Sequence, residues 1–240
     1  MDNTGYITLS RQTGLLKQMV AIANNIANAS TEGFRRESVI FAEMVDQMAA
    51  EGGSISQSDA RVRFTDFSQA TLRNTGGTFD LAIEGDGFFH VETPDGTALT
   101  RAGNFGRNTV GELVTRSGNL VLDPGGGGLL LPPEANEITI STDGTITADN
   151  EPVGQIALVS VADLSGLTRL ANGLFETTQP LLPAEDATVF QGFVEDSNVN
   201  PVLEIARMVE VQRAYEMGQS FLEAEDERIR QFIRVLGTMS

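Results

Sequence analysis

The last forty residues restrict the fold most. From Pro201 to Leu236 only Gly218 breaks a run that has no other glycine and no further proline. Ile205, Met208, Gln212, Tyr215, Gln219, Leu222, Asp226, Ile229, Ile233 and Leu236 recur at alternating spacings of three and four. That is the period of a heptad seam, with polar residues at three of its positions. Asn200 suits a helix cap and Pro201 the first helical position. Glu204, Arg207, Glu210, Arg213 and Glu216 form a ladder of alternating sign at i,i+3, with Arg207–Glu210 and Arg213–Glu216 as expected pairs. A helix over Pro201–Leu236 is roughly 50 Å long at 1.5 Å per residue, longer than one small domain covers.

The other end carries a second helical period. Leu15, Met19, Ile22 and Ile26 fall on one face, and Leu16, Val20, Ala23 and Ala27 widen it into a broad apolar arc. Gly14, Lys17, Asn24, Asn25 and Asn28 lie opposite. Ser30, Thr31 and Gly33 supply stop signals, so the spacing predicts a helix over about residues 8–29. Asparagine is a poor helix former, because its amide competes for local backbone hydrogen bonds. Its amide also donates and accepts without placing a charge in the interior. Two readings stand. The asparagines cap and turn out from a helix packed on its own domain, or they meet the backbones of neighbouring molecules in an assembly.

Between the ends the pattern switches to period two. "ITISTDGTIT" (Ile138–Thr147) alternates about Asp143-Gly144, and "FFHVETPDGTALT" about Pro94-Asp95-Gly96. "GELVTRSGNLVL" predicts two short strands about Ser117-Gly118, and "GQIALVSVA" (Gly154–Ala162) a buried strand. The expected organisation is a mainly β central domain flanked by terminal α-helices that pair as a coiled-coil-like inner domain. Its parts are an N-terminal helix in residues 1–30, a connecting segment in 31–74, a β-rich outer domain in 75–193 and a long C-terminal helix in 194–240. The stretch "AAEGGSISQSD" within the connecting segment reads as flexible.

Chemistry is sparse. The chain has no cysteine, which excludes disulfides, thiolate metal sites and cysteine nucleophiles. His90, the one histidine, is too few for a histidine metal site and lies in an expected strand. "DPGGGGLLLPPE" lacks the following GK[ST] of a phosphate loop and reads as a surface loop. Asp80, Glu84 and Asp86 are a carboxylate group by proximity only, and Asp149–Glu151 is an acidic turn without the full calcium-loop pattern. No catalytic, metal or cofactor-binding residue is therefore expected. A net charge of -17 argues against nucleic acid. The acidity reads as solubility, or less simply as a match for a basic partner. No apolar run approaches the roughly 20 residues that cross a bilayer, so no membrane insertion is expected. Met1–Ser10 carries Asp2 and no hydrophobic region of a cleaved leader. A secreted β-rich carbohydrate-acting enzyme or binding module stays open as the alternative class.

Three separated stretches resemble one family, in its order. "IANNIANASTEGF" is similar to the N-terminal signature of bacterial flagellar rod and hook proteins. "FDLAIEGDGFFHVETPDG" with "LTRAGNF" and "GELVTRSGNLVL" resembles their central region, and "SNVNPVLEIARMVEVQRAYE" their C-terminal signature. Glu32 stands where the family often has proline. Asn24, Asn25, Ile26, Asn28, Gly33 and Phe34 match the first signature. Asn200, Pro201, Glu204, Met208, Gln212, Arg213, Ala214 and Tyr215 match the last. Length and the opening "MDNTGYITLSRQTGLL" are most similar to proximal rod members, with distal rod members as the alternative.

The resemblance implies a structural, cofactor-free subunit of the flagellar basal body. Such a subunit leaves the cytoplasm through the flagellar export apparatus, without a cleaved signal peptide. It then assembles helically with copies of itself and other rod and hook-family axial proteins, in a rod that crosses the periplasm and carries torque from motor to hook. The assembly surface expected from both lines of reasoning comprises Leu15, Met19, Ile22, Asn24, Asn25, Ile26, Asn28, Phe34, Pro201, Ile205, Met208, Gln212, Arg213, Tyr215, Leu222 and Ile229.

Overall fold

The C-terminal period is a single helix, α2, over Pro201–Gly237. Asn200 starts it as its chemistry predicts. Asn200 Oδ1 accepts from the backbone N–H groups of Val202 (3.1 Å) and Leu203 (3.2 Å), which removes two of the orphan donors at the helix start. The N-terminal period is a helix too, α1, over Asp2–Ala27. It begins earlier than the apolar period indicated.

The computed structural model describes residues 2–47, 54–135 and 137–237. The chain divides into two units. One holds residues 1–27, 37–66 and 200–240, the other 28–36 and 67–199. The backbone thus passes between them at 27/28, 36/37, 66/67 and 199/200.

In the first unit α1 packs against α2 and also against a long hairpin, β1 (Glu37–Gln47) with β2 (Ser54–Thr65), which carries a bulge at Ile40/Phe41. This hairpin occupies much of the segment expected as a connector. Ala49–Gly53 of the expected flexible stretch lie outside the described residues, and Ser54–Asp59 are paired strand. The β-branched and aromatic residues of "SVIF" and "ARVRF" favour strand. The Gly/Ser content between them dominated the composition-based reading.

The second unit is built of short antiparallel strands, nine of them in its largest sheet among the described residues. Phe88–Thr93 pairs with Gly96–Thr100 across the Pro94-Asp95 turn, and Leu113–Val114 with Leu120–Val121 across Ser117-Gly118. Ile138–Ile140 pairs with Thr145–Ala148, where Asp143 Oδ1 accepts from Thr145 N at 3.1 Å and sets the turn. Leu81, Ile83, Phe89, Val91, Leu113, Val121, Ile146, Ile156 and Val189 form one core, and Phe88, Leu99 and Phe175 a second. The single buried strand expected over Gly154–Ala162 is broken. Gly154 and Gln155 end one strand and Leu158–Ser160 form another. Ile156 N turns to Gly144 O and Ala157 N to Leu122 O, so the backbone changes partners between them.

Candidate assembly surface

The two helices meet along a line of apolar side chains. Leu15, Ile22 and Val211 are buried there, with Met19, Ile26, Met208, Ala214 and Tyr215 packed around them. The helices are antiparallel, because Asn25 bonds to Glu204 and Gln12 to the Tyr215 backbone. On α2 the contact line runs through Glu204, Met208, Val211, Tyr215 and Gly218. The expected seam shares Met208 and Tyr215 with it, but otherwise lies one residue further on, where Ile205, Gln212, Gln219 and Asp226 are exposed. The shift has a chemical cause. At two contact positions the helix presents a carboxylate and no side chain at all, so a count of apolar residues passes over both. Gly218 leaves room for Gln12: a Cβ there would stand 2.4 Å from Gln12 Nε2, whose N–H donates to Tyr215 O at 2.9 Å, so a larger residue would displace that amide.

Asn25 explains one of the three asparagines. It is fully buried. Its Nδ2 donates to Glu37 O (2.7 Å) and Glu204 Oε2 (3.1 Å), and its Oδ1 accepts from Glu37 N (2.9 Å). One amide therefore ties α1 to the start of β1 and to the first turn of α2. The partners are in the same chain, so the expectation that this amide waits for a neighbour gives way to the self-packed reading. Glu204, 1% exposed, also takes Arg207 Nη1 at 2.6 Å; Arg207 thus pairs backward with Glu204 rather than forward with Glu210. Asn28 belongs to the turn after α1, where its Oδ1 accepts from Thr31 Oγ1 at 3.2 Å. Asn24 is exposed.

In the second unit the segment around Phe34 lies beside the chain leading towards α2. Gly33 N donates to Glu195 O (2.8 Å) and Arg36 N to Asn198 Oδ1 (2.6 Å). Gly33 has φ +67°, and a Cβ would stand 2.3 Å from Ala102 N, so only glycine fits. Phe34 is buried beneath the Arg169 guanidinium, 4.6 Å from its ring centroid, and Arg169 donates to Arg35 O. Arg35 and Glu195 form an ion pair at 2.7 Å with both side chains fully buried. Arg101 Nη1 approaches Glu195 Oε2 at 3.4 Å and donates to Ile83 O at 3.2 Å. Burial pushes the Arg101 guanidinium down to about 10 against the attraction of Glu195. Glu32, at the family's frequent proline position, pairs with Arg73 at 3.0 Å. Sequence reasoning missed this Arg35–Glu195–Arg101 cluster, since arginine in a motif reads as surface. The available signal was that Arg101 sits inside "LTRAGNF" and Arg35 directly follows "IANNIANASTEGF".

The expected surface residues thus divide. Leu15, Ile22, Asn25 and Phe34 are buried, and Met19, Ile26, Asn28, Met208, Tyr215 and Leu222 are partly buried. Asn24, Pro201, Ile205, Gln212, Arg213 and Ile229 are exposed, with Gln212 Nε2 donating to Glu216 Oε1 at 3.1 Å. Both helices also expose large apolar side chains: Leu9, Leu16 and Val20 on α1, and Val202, Leu203, Ile205, Val209, Met217 and Phe221 on α2. Elsewhere the acidic candidates have local work. Asp80 Oδ2 accepts from Thr75 Oγ1 at 2.5 Å, and Asp149 Oδ1 from Glu137 N at 3.0 Å; in the glycine-rich loop Asp123 Oδ1 accepts from Gly125 N and Gly127 N, both at 2.8 Å. His90 is half-buried, and burial lowers its pKa.

Three family profiles match the chain. Residues 6–35 match the flagella basal body rod protein profile, residues 82–148 the flagellar hook protein FlgE/F/G D1 domain, and residues 191–235 the flagellar basal body rod FlgEFG protein C-terminal. The flagellar basal-body rod protein FlgF of Caulobacter vibrioides is 37% identical over 249 aligned residues, covering 100% of both chains. FlgF of Mesorhizobium japonicum is 36% identical, again over 100% of both. The flagellar basal-body rod protein FlgG of Bacillus subtilis is 31% identical, over 96% of this chain and 97% of that protein.

Proposed function

The chain belongs to the flagellar basal-body rod protein family, and from that premise we propose that it is a structural subunit of the proximal rod, built into a helical polymer through its terminal helices. The observation that carries this reading is the outer surface of the helix pair. Its inner seam is already filled by Leu15, Ile22 and Val211, yet Leu9 at 58%, Val20 at 60%, Val202 at 73% and Ile205 at 53% stay exposed. Apolar side chains gathered on helices in this way mark an interaction site. A heterologous contact between such faces does not close on itself and grows a filament. Asn24, Pro201, Ile205, Gln212, Arg213 and Ile229 are the expected interface residues that are exposed.

Torque transmission needs no turnover, only a stiff polymer of many directional contacts, so the subunit works without catalytic residues or cofactor. Its partners are copies of itself and other rod and hook-family axial proteins, and its route is the flagellar export apparatus without a cleaved signal peptide. The two FlgF proteins at 37% and 36% identity over the whole of both chains, against 31% for the FlgG of Bacillus subtilis and 34% for that of Caulobacter vibrioides, favour the proximal over the distal rod. In a strain lacking this chain we expect no complete rod in isolated basal bodies and no swimming. The intact chain restores both, and a chain without residues 1–30 restores neither. Swimming restored by the truncated chain refutes the reading.

A further inference from the structure

Inside the second unit, Arg35 and Arg101 set two guanidiniums on the one carboxylate of Glu195, and all three side chains are buried. That carboxylate is fully used. Its Oε1 accepts from Ala70 N at 2.8 Å and lies 2.7 Å from Arg35 Nη1, and its Oε2 lies 3.4 Å from Arg101 Nη1. Arg101 also reaches the carbonyls of Ile83 and Gly85. Arg35 has no such help. Its contact with Glu195 is one of charge without hydrogen-bond alignment, and its Nε, Nη1 and Nη2 meet no acceptor among the described residues. Arg101 Nε meets none either.

The charges do not balance. Glu195 is the one buried carboxylate of this unit among the described residues. Asp86 attracts Arg101 as well, but from an exposed position. Arg169, which donates to Arg35 O and lies over Phe34, brings a third cation. Burial lowers the Arg101 guanidinium to about 10, Glu195 pulls it up, and Arg35 pushes it down, so the two cations repel across their shared partner. Arginine does not relieve this by losing its proton at neutral pH. A buried cation with unmade hydrogen bonds is costly, and such a group marks a bound water or ion. Charge separates the two. Water supplies an acceptor only, whereas an anion supplies the acceptor and the missing charge.

We infer that the Arg35 guanidinium, with Arg101 beside it, holds one small monovalent anion of the chloride class inside this unit. The Arg35 side chain has no exposed surface, so an anion the size of phosphate finds no open face, and the small ion is enclosed as the unit folds. It fastens residues that are far apart in sequence: Arg35 just after the first matched stretch, Arg101 in the middle of the chain, and Glu195 shortly before α2. The inference stands apart from the rod reading.

The test follows unfolding of the full-length purified chain by calorimetry, and by hydrogen exchange over residues 67–199. Chloride replaces gluconate, an anion too large to enter, at constant ionic strength. The midpoint is expected to rise by several degrees with the concentration dependence of a single site, with protection gained in residues 67–199. Arg35→Met removes the surplus cation at similar volume and is expected to abolish the response. Crystals grown in sodium bromide should show an anomalous peak within hydrogen-bonding reach of Arg35. Density there without an anomalous signal means water and overturns the inference. A bromide peak without any effect of chloride on unfolding is an adventitious ion only and overturns it too, as does a chloride response that Arg35→Met leaves unchanged. Should Arg35→Met not fold, the bromide peak and the chloride response of the parent chain decide.

Discussion

Replacing Asn25 by aspartate keeps the shape of the side chain and changes one atom that the structure uses twice. The amide nitrogen donates to Glu37 O and to Glu204 Oε2, at 2.7 and 3.1 Å. Asn25→Asp leaves both acceptors without that donor in a buried site, at a cost of about 1–3 kcal/mol each. It also sets a carboxylate against Glu204. Two unit charges about 4 Å apart repel by about 4 kcal/mol at an effective dielectric of 20. Proton uptake by one of the carboxyls, and the pull of Arg207 on Glu204, relieve part of this. The expected net loss at neutral pH is about 3–5 kcal/mol, the size found when a buried polar pair loses one partner.

That is a large share of the roughly 5–15 kcal/mol that holds a domain. It falls on the helix-and-hairpin unit alone. Hydrogen exchange followed through a urea series should show α1, β1 and α2 opening earlier, with residues 67–199 unchanged. The sign with pH follows from the proton. The carboxyl that is forced to stay protonated in the folded variant has its pKa raised above the unfolded value. The folded form then holds more protons, and the deficit shrinks as pH falls through that raised pKa. Adding Glu204→Gln supplies a new donor to the aspartate and should recover part of the loss. An unchanged midpoint for Asn25→Asp, or a further loss from Glu204→Gln, refutes the tie.

Gly33→Ala places a Cβ against backbone at a positive φ and should destabilise residues 67–199 by about 3 kcal/mol or more, read by thermal unfolding of purified protein. Glu195→Ala leaves the buried Arg35 and Arg101 without their carboxylate and should cost about 3–5 kcal/mol; Glu195→Gln, which keeps the shape, should recover little of that in the same denaturation assay. His90 has its pKa lowered by burial from the usual 6.5, so the unfolded chain binds the proton first and the stability of this unit falls as pH drops below that value. His90→Gln should flatten that part of the stability profile, and an identical slope in variant and parent shows that His90 does not contribute.

Helix α2 was legible because its cap, its first proline and its long uninterrupted period all point the same way. The line it uses against α1 was not, since Glu204 and Gly218 stand at contact positions where an apolar pattern looks for leucine. Ile205, one residue on, fitted the pattern and is exposed. The same limit applies to Asn25. An amide inside a helix announces a polar contact, but whether Glu37 of the same chain or another molecule supplies it depends on where β1 begins. The hairpin turns of the β unit were plain from Asp-Gly and Ser-Gly, whereas the break at Ile156 was hidden because both halves of "GQIALVSVA" are apolar. The Arg35–Glu195–Arg101 cluster joins residues far apart in sequence, and no local period reports a pairing over such a separation. The exposed line on α1 was visible as Leu16, Val20, Ala23 and Ala27, but merged with the buried one into a single arc. Only the position of α2 separates them.

The four backbone passages at 27/28, 36/37, 66/67 and 199/200 have a mechanical meaning. A body hung on one peptide strand swivels freely, because rotation about a few single bonds lets it spin without stretching anything. Four crossings differ from that in covalent terms, since no one passage carries the whole connection. Severing one strand, for instance by a protease cut between Thr65 and Phe67, would leave three, and the two units would stay joined.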